Sequence, residues 1–456
     1  MPRMSDYEAT RQRHLVEAMQ RLPERLERLT WSAAQLRDWR TARLRALLAI
    51  ARERSPWHRA RLADVDIERI DEDGLDALPP MTKADLMANF DAIVTDPRVT
   101  LARADAHVAA LTTDAYLLDE LHAVASGGSS GVRGVFVWGW DAWAEVFLVS
   151  LRRQMHDAAS SGATEPPVPM IVAANNASHF TSANPQTFRS DFPQVHRFPV
   201  TLPLSEIVAG LNRVDGTHLF AYASMLGTLA AEAREGRLRI TPRRVISTAE
   251  PLLPALRAAA EDAWRAPIAN MWGTSEGGIM ALGCYHAGGM HLNEDLLIVE
   301  PVDERGAPVP PGVRAAKVYL TNLFNPVQPL IRYELTDEVT MLAEPCPCGS
   351  AHRRVADIQG RLDDVFRYAD GVAVHPHIFR SVLGRDPRVR EYQVRQTPAG
   401  AELLLCGPPD LAAAAIAEQV AAELARVGVH RPQVTAAIVD GFERSGAGKL
   451  KRFVPL

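Results

Sequence analysis

The sequence predicts an α/β protein, with a large N-terminal domain of mixed and parallel sheets and a smaller α+β C-terminal domain. Three observations carry this. From about 120 to 340, apolar runs of strand length alternate with stretches of helical periodicity, the pattern of βαβ units. Near 360 the pattern shifts to short alternating strands around one Ala-rich amphipathic helix. A chain of 456 residues, 47% hydrophobic and 23% charged, can bury the cores of two or three domains. The expected division is 1–360 and 361–456.

The elements follow in order. Residues 5–55 carry helical spacing through Leu15, Met19 and Leu22, then Leu44, Leu47 and Leu48. Ser55-Pro56 ends the run, because proline disfavours a helical residue before it. DALPPMTKADLMANF (76–90) reads as a loop opening a helix, with Thr82 as N-cap. Buried strands are expected at VFVW (135–138), PMIVAA (169–174), HLFAYA (218–223), RRVIST (243–248) and AKVYLTNL (316–323). SMLGTLAAEAREG (224–236) reads as a helix between two of them. Beyond 360, strands are expected at 390–396, 401–407 and 434–440, with a helix at 410–427.

Composition excludes some classes. A net charge of −5 argues against binding nucleic acid by phosphate neutralisation. The first forty residues are rich in Arg and Glu, without the apolar stretch of a targeting signal, and no run of 18 apolar residues follows. A cytoplasmic protein is expected, without a membrane partner. Four cysteines, Cys284, Cys346, Cys348 and Cys406, make no disulfide framework. Of 50 basic residues only Lys83, Lys317, Lys449 and Lys451 are lysines, two of them within the last eight positions.

Four segments could carry chemistry. SGGSSGVRG (126–134) offers glycines for close backbone approach and hydroxyls from Ser126, Ser129 and Ser130, a set able to wrap phosphate. MWGTSEGG (271–278) matches the G-x-S-x-G nucleophile elbow, with Ser275 as nucleophile, but Gly-rich sequence follows where a helix should. Its alternatives are a loop presenting Thr274, Ser275 and Glu276 to a ligand, Glu276 as a metal carboxylate, or a plain turn. Cys284 with His286 or His291, plus Cys346-Pro-Cys348, could complete a tetrahedral zinc site; inert reduced thiols are the alternative. Cys406, inside LLLC, reads as core. Finally, ERSGAGKLKRF (443–453) places Lys449 in a flexible turn that could deliver a mobile ammonium to a phosphate or carboxylate.

In this order the segments resemble the adenylate-forming (acyl-CoA synthetase) superfamily, most closely its phenylacetate–CoA ligase-like branch, over nearly the whole chain. LPPMTKADLMANF (78–90) looks like the branch's N-terminal signature, and 126–134 looks like its phosphate loop. STAEPL (247–252) is similar to its adenine-side turn, and MWGTSEGG to its aromatic-Gly-x-Ser/Thr-Glu motif. GGMHLNED (288–295) resembles its Gly-Leu-His-x-x-Glu-Asp stretch, and PLIRYELTDEV (329–339) its Tyr-Arg-Thr-Gly-Asp motif. GRLDD (360–364) looks like the hinge and GKLKR (448–452) like the catalytic-lysine loop.

The resemblance implies ATP-dependent activation of a small, aromatic or other, carboxylic acid to an acyl-adenylate, then transfer to a thiol. Coenzyme A is the expected acceptor, with a carrier protein or an amine as alternatives. It implies that Ser129, Ser130 and Gly131 hold phosphates, and that Ala249, Glu250, Pro251 and Trp272 frame adenine beside Gly273, Thr274 and Ser275. Glu276 would bind Mg²⁺, Asp337 the ribose, and Arg361 the nucleotide edge of a hinge at Asp363 about which a mobile small domain turns. Lys449 would bridge the carboxylate and α-phosphate. Some members of the branch hold zinc through positions matching Cys284, His291, Cys346 and Cys348, which favours His291 over His286. A homodimer is compatible with this reading. The rival readings are a serine hydrolase using Ser275 and a zinc-stabilised nucleotide-binding module.

Departures from the family pattern also stand out. Val132-Arg133 replaces the Lys-Pro after the phosphate loop, and Leu335-Thr336-Asp337 replaces Thr-Gly-Asp, with Glu334 in the place of Arg. Trp138, in a Trp-rich run after the loop, is either an acyl-pocket wall or core.

Overall fold

The computed structural model describes residues 6–126, 133–160, 167–173, 184–189, 195–250, 252–356, 358, 365–386, 388–389, 391–442 and 452–456. The chain starts with two long helices, α1 (Asp6–Glu27) and α2 (Ala33–Arg54), the second opened by a Ser32–Gln35 capping box. Ser55 ends α2 and caps α3 (Pro56–Arg61), so the Pro56 boundary holds. Met19 departs from expectation: it lies on the exposed side of α1, while Leu15 and Leu22 are buried. Thr82 caps α4 (Lys83–Ala88) in a capping box with Asp85, and α5 (Phe90–Ile93) and α6 (Leu101–Ala110) follow.

Strands β1 (Leu121–Ala125) and β2 (Val135–Gly139) form an antiparallel pair leading into α7 (Trp140–Ser160). Next come β3 (Pro169–Ala173), α8 (Asn184–Thr187), β4 (His196–Pro199), α9 (Leu204–Leu211), β5 (His218–Tyr222), α10 (Ala223–Arg234), β6 (Arg244–Thr248), α11 (Pro254–Trp264) and β7 (Ile268–Thr274). These five strands run parallel in the order β4-β3-β5-β6-β7, the signature of crossover helices.

The sheet then changes direction. Strands β8 (Gly278–Gly283), β9 (Met290–Leu292), β10 (Leu297–Val302), β11 (Arg314–Ala315), β12 (Lys317–Asn322), β13 (Tyr333–Leu335), β14 (Val339–Leu342) and β15 (Arg354–Val355) pair antiparallel. One ten-stranded sheet, β11-β14-β15-β9-β8-β7-β6-β5-β3-β4, joins both halves, and β10-β12-β13 form another. The apolar runs at 135–138 and 316–323 are thus strands, but antiparallel ones.

The C-terminal part holds β16 (Phe366–Arg367), β17 (Ala373–Val374), α12 (His377–Leu383), β18 (Glu391–Thr397), β19 (Gly400–Cys406), α13 (Ala413–Arg426), β20 (Gln433–Ile438) and β21 (Phe453–Val454). Its sheet is β20-β19-β18-β21, covered by α12 and α13. A hydrophobic cluster from Phe366 to Phe453 is its own core, and Cys406 is buried at the end of β19. The α/β class, with a large N-terminal and a smaller C-terminal domain, is therefore as expected. Among the described residues no helix is long and apolar enough to cross a membrane.

Candidate active site and candidate metal centre

Two expected motifs meet at the carboxyl edge of the parallel strands, where ligands bind in open α/β sheets. β6 ends at Thr248, and Ala249 turns the chain with a left-handed φ of 61°. That turn sends the Glu250 side chain, only 5% exposed, to the N-terminus of α10. Its Oε2 accepts the Ser224 backbone N–H at 2.9 Å, a favourable place for negative charge. Its Oε1 accepts a hydrogen bond from His375 Nε2 at 3.0 Å. Burial pushes this carboxyl up, but the His375 and Ser224 contacts outweigh it and bring it down to about 2.

The neighbouring strand β7 ends in the Thr274–Gly277 turn. The Gly277 N–H donates to Thr274 Oγ1 at 2.9 Å, and Asn322 Nδ2 donates to the Glu276 carbonyl at 3.1 Å. Gly278 reverses the chain at φ 66°; a Cβ there would lie 2.7 Å from Val146. Trp272 is buried beside a bulge at Gly273, and Ser275 is half-buried. Strand β8 follows Ser275, so the strand–turn–helix geometry of a nucleophile elbow is not formed. That corrects the hydrolase reading: the two glycines after Glu276 fold back as a hairpin and supply no supporting helix.

The Glu276 carboxylate is buried against the Lys83 ammonium, 3.2 Å away. The Pro-x-Thr-Lys segment reaches it because Met81 bridges Tyr333: Met81 N–H donates to the Arg332 carbonyl, and Glu334 N–H to the Met81 carbonyl. Burial, reinforced by the neighbouring Glu276 carboxylate, holds the Tyr333 phenol well above its usual range. Nothing in the sequence placed Lys83 on Glu276; only the shared motif order pointed to both. Lys317 pairs instead with Glu334 at 2.7 Å. Asp337 lies between β13 and β14, half-buried.

Several expected site residues, Ser129, Ser130, Gly131, Pro251, Arg361, Asp363, Lys449 and Lys451, lie outside the described residues. The base of the 126–134 loop is described. Ser126 and Gly134 close it, with Ser126 Oγ accepting the Gly134 N–H at 2.8 Å. Arg133, at its end, pairs with Asp105. Trp138 is wholly buried against Trp143 and Phe324, the packing of a core residue.

The cysteine and histidine set comes together. One potential ligand atom each of Cys284, His291, Cys346 and Cys348 lies within 4.8 Å of all the others. Cys284 Sγ and Cys346 Sγ are 3.5 Å apart, and Cys348 Sγ is 3.3 Å from His291 Nε2. Zn–S bonds of about 2.3 Å in a tetrahedron put sulfurs about 3.7 Å apart, so the set fits zinc. His291 turns Nε2 inward because Nδ1 donates to the His352 carbonyl at 2.8 Å, the orientation a ligating imidazole needs. Gly349, at φ 83°, closes the Cys346–Gly349 turn with an N–H to the Cys346 carbonyl at 3.0 Å. Burial raises the Cys284 thiol, but His291 and the backbone amides of His286 and Ala287 outweigh it and hold it below its usual range. His286 thus contributes its backbone, and His291 is the imidazole of the cluster.

HLNED (291–295) and the neighbouring His352 anchor this cluster to α7 and to Arg28, just after α1. Arg152 of α7 grips Asp295 with two bonds of 2.6 and 2.8 Å, and Asn293 at 3.0 Å, all buried. Arg353 bonds Glu294 at 2.6 Å, and His352 Nε2 donates to the Arg28 carbonyl at 3.3 Å.

Such a fold, with both motif turns on the carboxyl edge of one sheet, is similar to that of solved acyl-CoA ligases, and the sequence is similar to that of a phenylacetate-coenzyme A ligase. A phenylacetate-coenzyme A ligase of Thermus thermophilus is 28% identical over 373 residues, spanning 79% of this chain and 78% of that protein. A crystal structure of 2-hydroxyisobutyryl-CoA ligase in the postadenylation state, with R3-HIB-AMP, matches with a TM-score of 0.59 at 19% identity. The match covers 94% of this chain and 91% of that one. The same ligase with 2-HIB-AMP and CoA, in the thioesterification state, also gives 0.59 at 19% identity, with the same coverage. At that identity the likeness speaks for the fold. No protein-family model matches the chain.

Proposed function

We propose that the protein is an AMP-forming acid–thiol ligase. A carboxylate oxygen attacks the α-phosphorus of ATP, the bond to pyrophosphate breaks, and an acyl-adenylate forms. A thiolate, that of coenzyme A, then attacks the acyl carbon and expels AMP. The observation that carries this is the meeting of the 247–252 and 271–278 motifs on adjacent carboxyl ends of β6 and β7, in a chain whose motifs follow the family order throughout.

The roles are proposed by motif. Ser129, Ser130 and Gly131 hold the β- and γ-phosphates. Ala249, Glu250, Pro251 and Trp272 frame adenine, with Gly273, Thr274 and Ser275 lining the turn below. Asp337 binds ribose and Arg361 the nucleotide edge. Glu276 would hold magnesium, which when bound neutralises phosphate charge. Lys449 stabilises the charge that develops between carboxylate and α-phosphate. The division into 1–360 and 361–456 is supported by the separate hydrophobic cluster of the C-terminal part. We further propose that Cys284, His291, Cys346 and Cys348 bind a structural zinc ion. An aromatic acid is proposed from the family resemblance alone, since Trp138 is packed as core.

Pyrophosphate release across a set of carboxylic acids, with and without coenzyme A, tests the reading. Release that needs an acid, with thioester formed only when coenzyme A is added, is expected. Acyl transfer only to a carrier protein or an amine would redirect the second step, and no acid-dependent release would sink the proposal. Lys449→Ala should cut adenylation by orders of magnitude and leave transfer from preformed acyl-adenylate largely intact; near-normal adenylation overturns its role.

A further inference from the structure

The contact between Glu250 and His375 joins the two parts of the molecule. His375 lies in the small domain, between β17 and α12, immediately before Pro376, which favours an extended backbone at that position. Its ring stacks on Tyr222, at the end of β5, with centroids 5.1 Å apart and planes 21° from parallel. Its Nε2 reaches Glu250 Oε1 at 3.0 Å, with both side chains at most 5% exposed. The charge of Arg133, at the end of the 126–134 loop, acts in the same sense on the small domain's Asp386, which is held below the usual carboxylate range first by Arg388 and to a lesser degree by Arg133. The small domain therefore touches the Glu250 turn that the proposed reading gives to the nucleotide.

We infer that His375 is a positioning residue, a latch that fixes one orientation of the small domain by engaging Glu250. A carboxylate this deeply buried needs hydrogen-bond partners, and withdrawing one leaves a substantial desolvation penalty. When the small domain turns away, Glu250 loses the imidazole and keeps the α10 amide. Its freed oxygen is then left without that partner at the turn proposed to frame adenine. The orientation of the domain and the occupancy of that turn are therefore coupled through one carboxylate. This inference rests on the ligase reading for its kinetic consequence, and not for the contact itself.

The test uses full-length protein with His375→Ala and His375→Gln, the second keeping an N–H donor. Adenylation is read as acid-dependent pyrophosphate release without thiol, and transfer as thioester formed from prepared acyl-adenylate. Small-angle scattering reads the spread of domain orientations. A latch acts on the step performed in the orientation it fixes. His375→Ala should therefore change the two half-reactions unequally, by at least tenfold relative to each other, with a more extended scattering profile. His375→Gln should stay within about threefold of the parent in both. Equal changes in both half-reactions, or an unchanged scattering profile, overturn the latch. Should the alanine variant not fold, His375→Phe keeps the ring on Tyr222, removes the donor and takes its place in the comparison. If the parent protein itself makes no acid-dependent pyrophosphate, the ligase reading has failed, and scattering alone decides the latch.

Discussion

Lys83 and Glu276 show how much can hang on one pair far apart in the chain. Their side chains are 14% and 7% exposed, so neither charge has much water to fall back on. Lys83→Met leaves the carboxylate with its main cation gone and should lower unfolding free energy by about 1–3 kcal/mol. An unchanged denaturation midpoint in urea would count against this. The residues near 291–295 set the acid limit. Burial raises the Asp295 carboxyl, but Arg152 outweighs it and holds it far below its usual range; Glu294 is lowered likewise by Arg353 and Arg40. Groups with depressed folded values stabilise the protein above the unfolded carboxylate range and lose that contribution as pH falls through the folded values. Unfolding free energy should therefore be flat above about pH 5 and fall below about pH 4. Asp295→Asn should cost about 3–5 kcal/mol at neutral pH and blunt that fall, as measured by denaturant titration across pH. Neither pairing was legible beforehand. HLNED and Pro-x-Thr-Lys could be singled out as motifs, but partners separated so widely in sequence are fixed only by the sheet.

The elements were more legible than their pairing. Apolar runs at 169–174, 218–223 and 243–248 became β3, β5 and β6 within a residue or two, because strands buried on both faces need continuous apolar sequence. The same signal at 135–138 and 316–323 gave antiparallel strands, since one strand's composition does not state its neighbour's direction. The turn after β7 was read both as an elbow and as a ligand loop, and the glycines at 277 and 278 decided for a hairpin. The cysteine cluster was legible from spacing plus the family's motif. With an ion bound it would tie β8 and β9 to the 346–349 turn, so the ion should matter locally. The purified protein should carry close to one zinc ion per chain. Chelation should lower the thermal midpoint by several degrees and raise amide exchange at 278–292 and 346–355, with the sheet strands β3–β6 changing less. A metal-free protein of full stability would remove the structural role.

Across the whole molecule, the ten-stranded sheet has a seam. Parallel strands lie on one side of β7, and antiparallel strands on the other. The candidate nucleotide turns stand on the parallel side and at the seam, whereas the cysteine cluster stands on the antiparallel side. These halves differ in the range of their contacts along the chain. β7, β8 and β9 are neighbours in sequence and close by short reversals, but β4-β3-β5-β6 must wait for helical crossovers, whose loop-closure entropy slows their formation. Order of assembly is thereby written into the seam: the hairpin side should gain protection first in pulse-labelled hydrogen exchange during refolding, at 271–292 before 170–173 and 219–222. Simultaneous protection would contradict that order. A chain arrested midway would then hold Cys284 and His291 on a finished hairpin while Cys346 and Cys348, 62 and 57 residues further along, were still to arrive, so metal content should report the closing of the whole antiparallel half rather than its first hairpin.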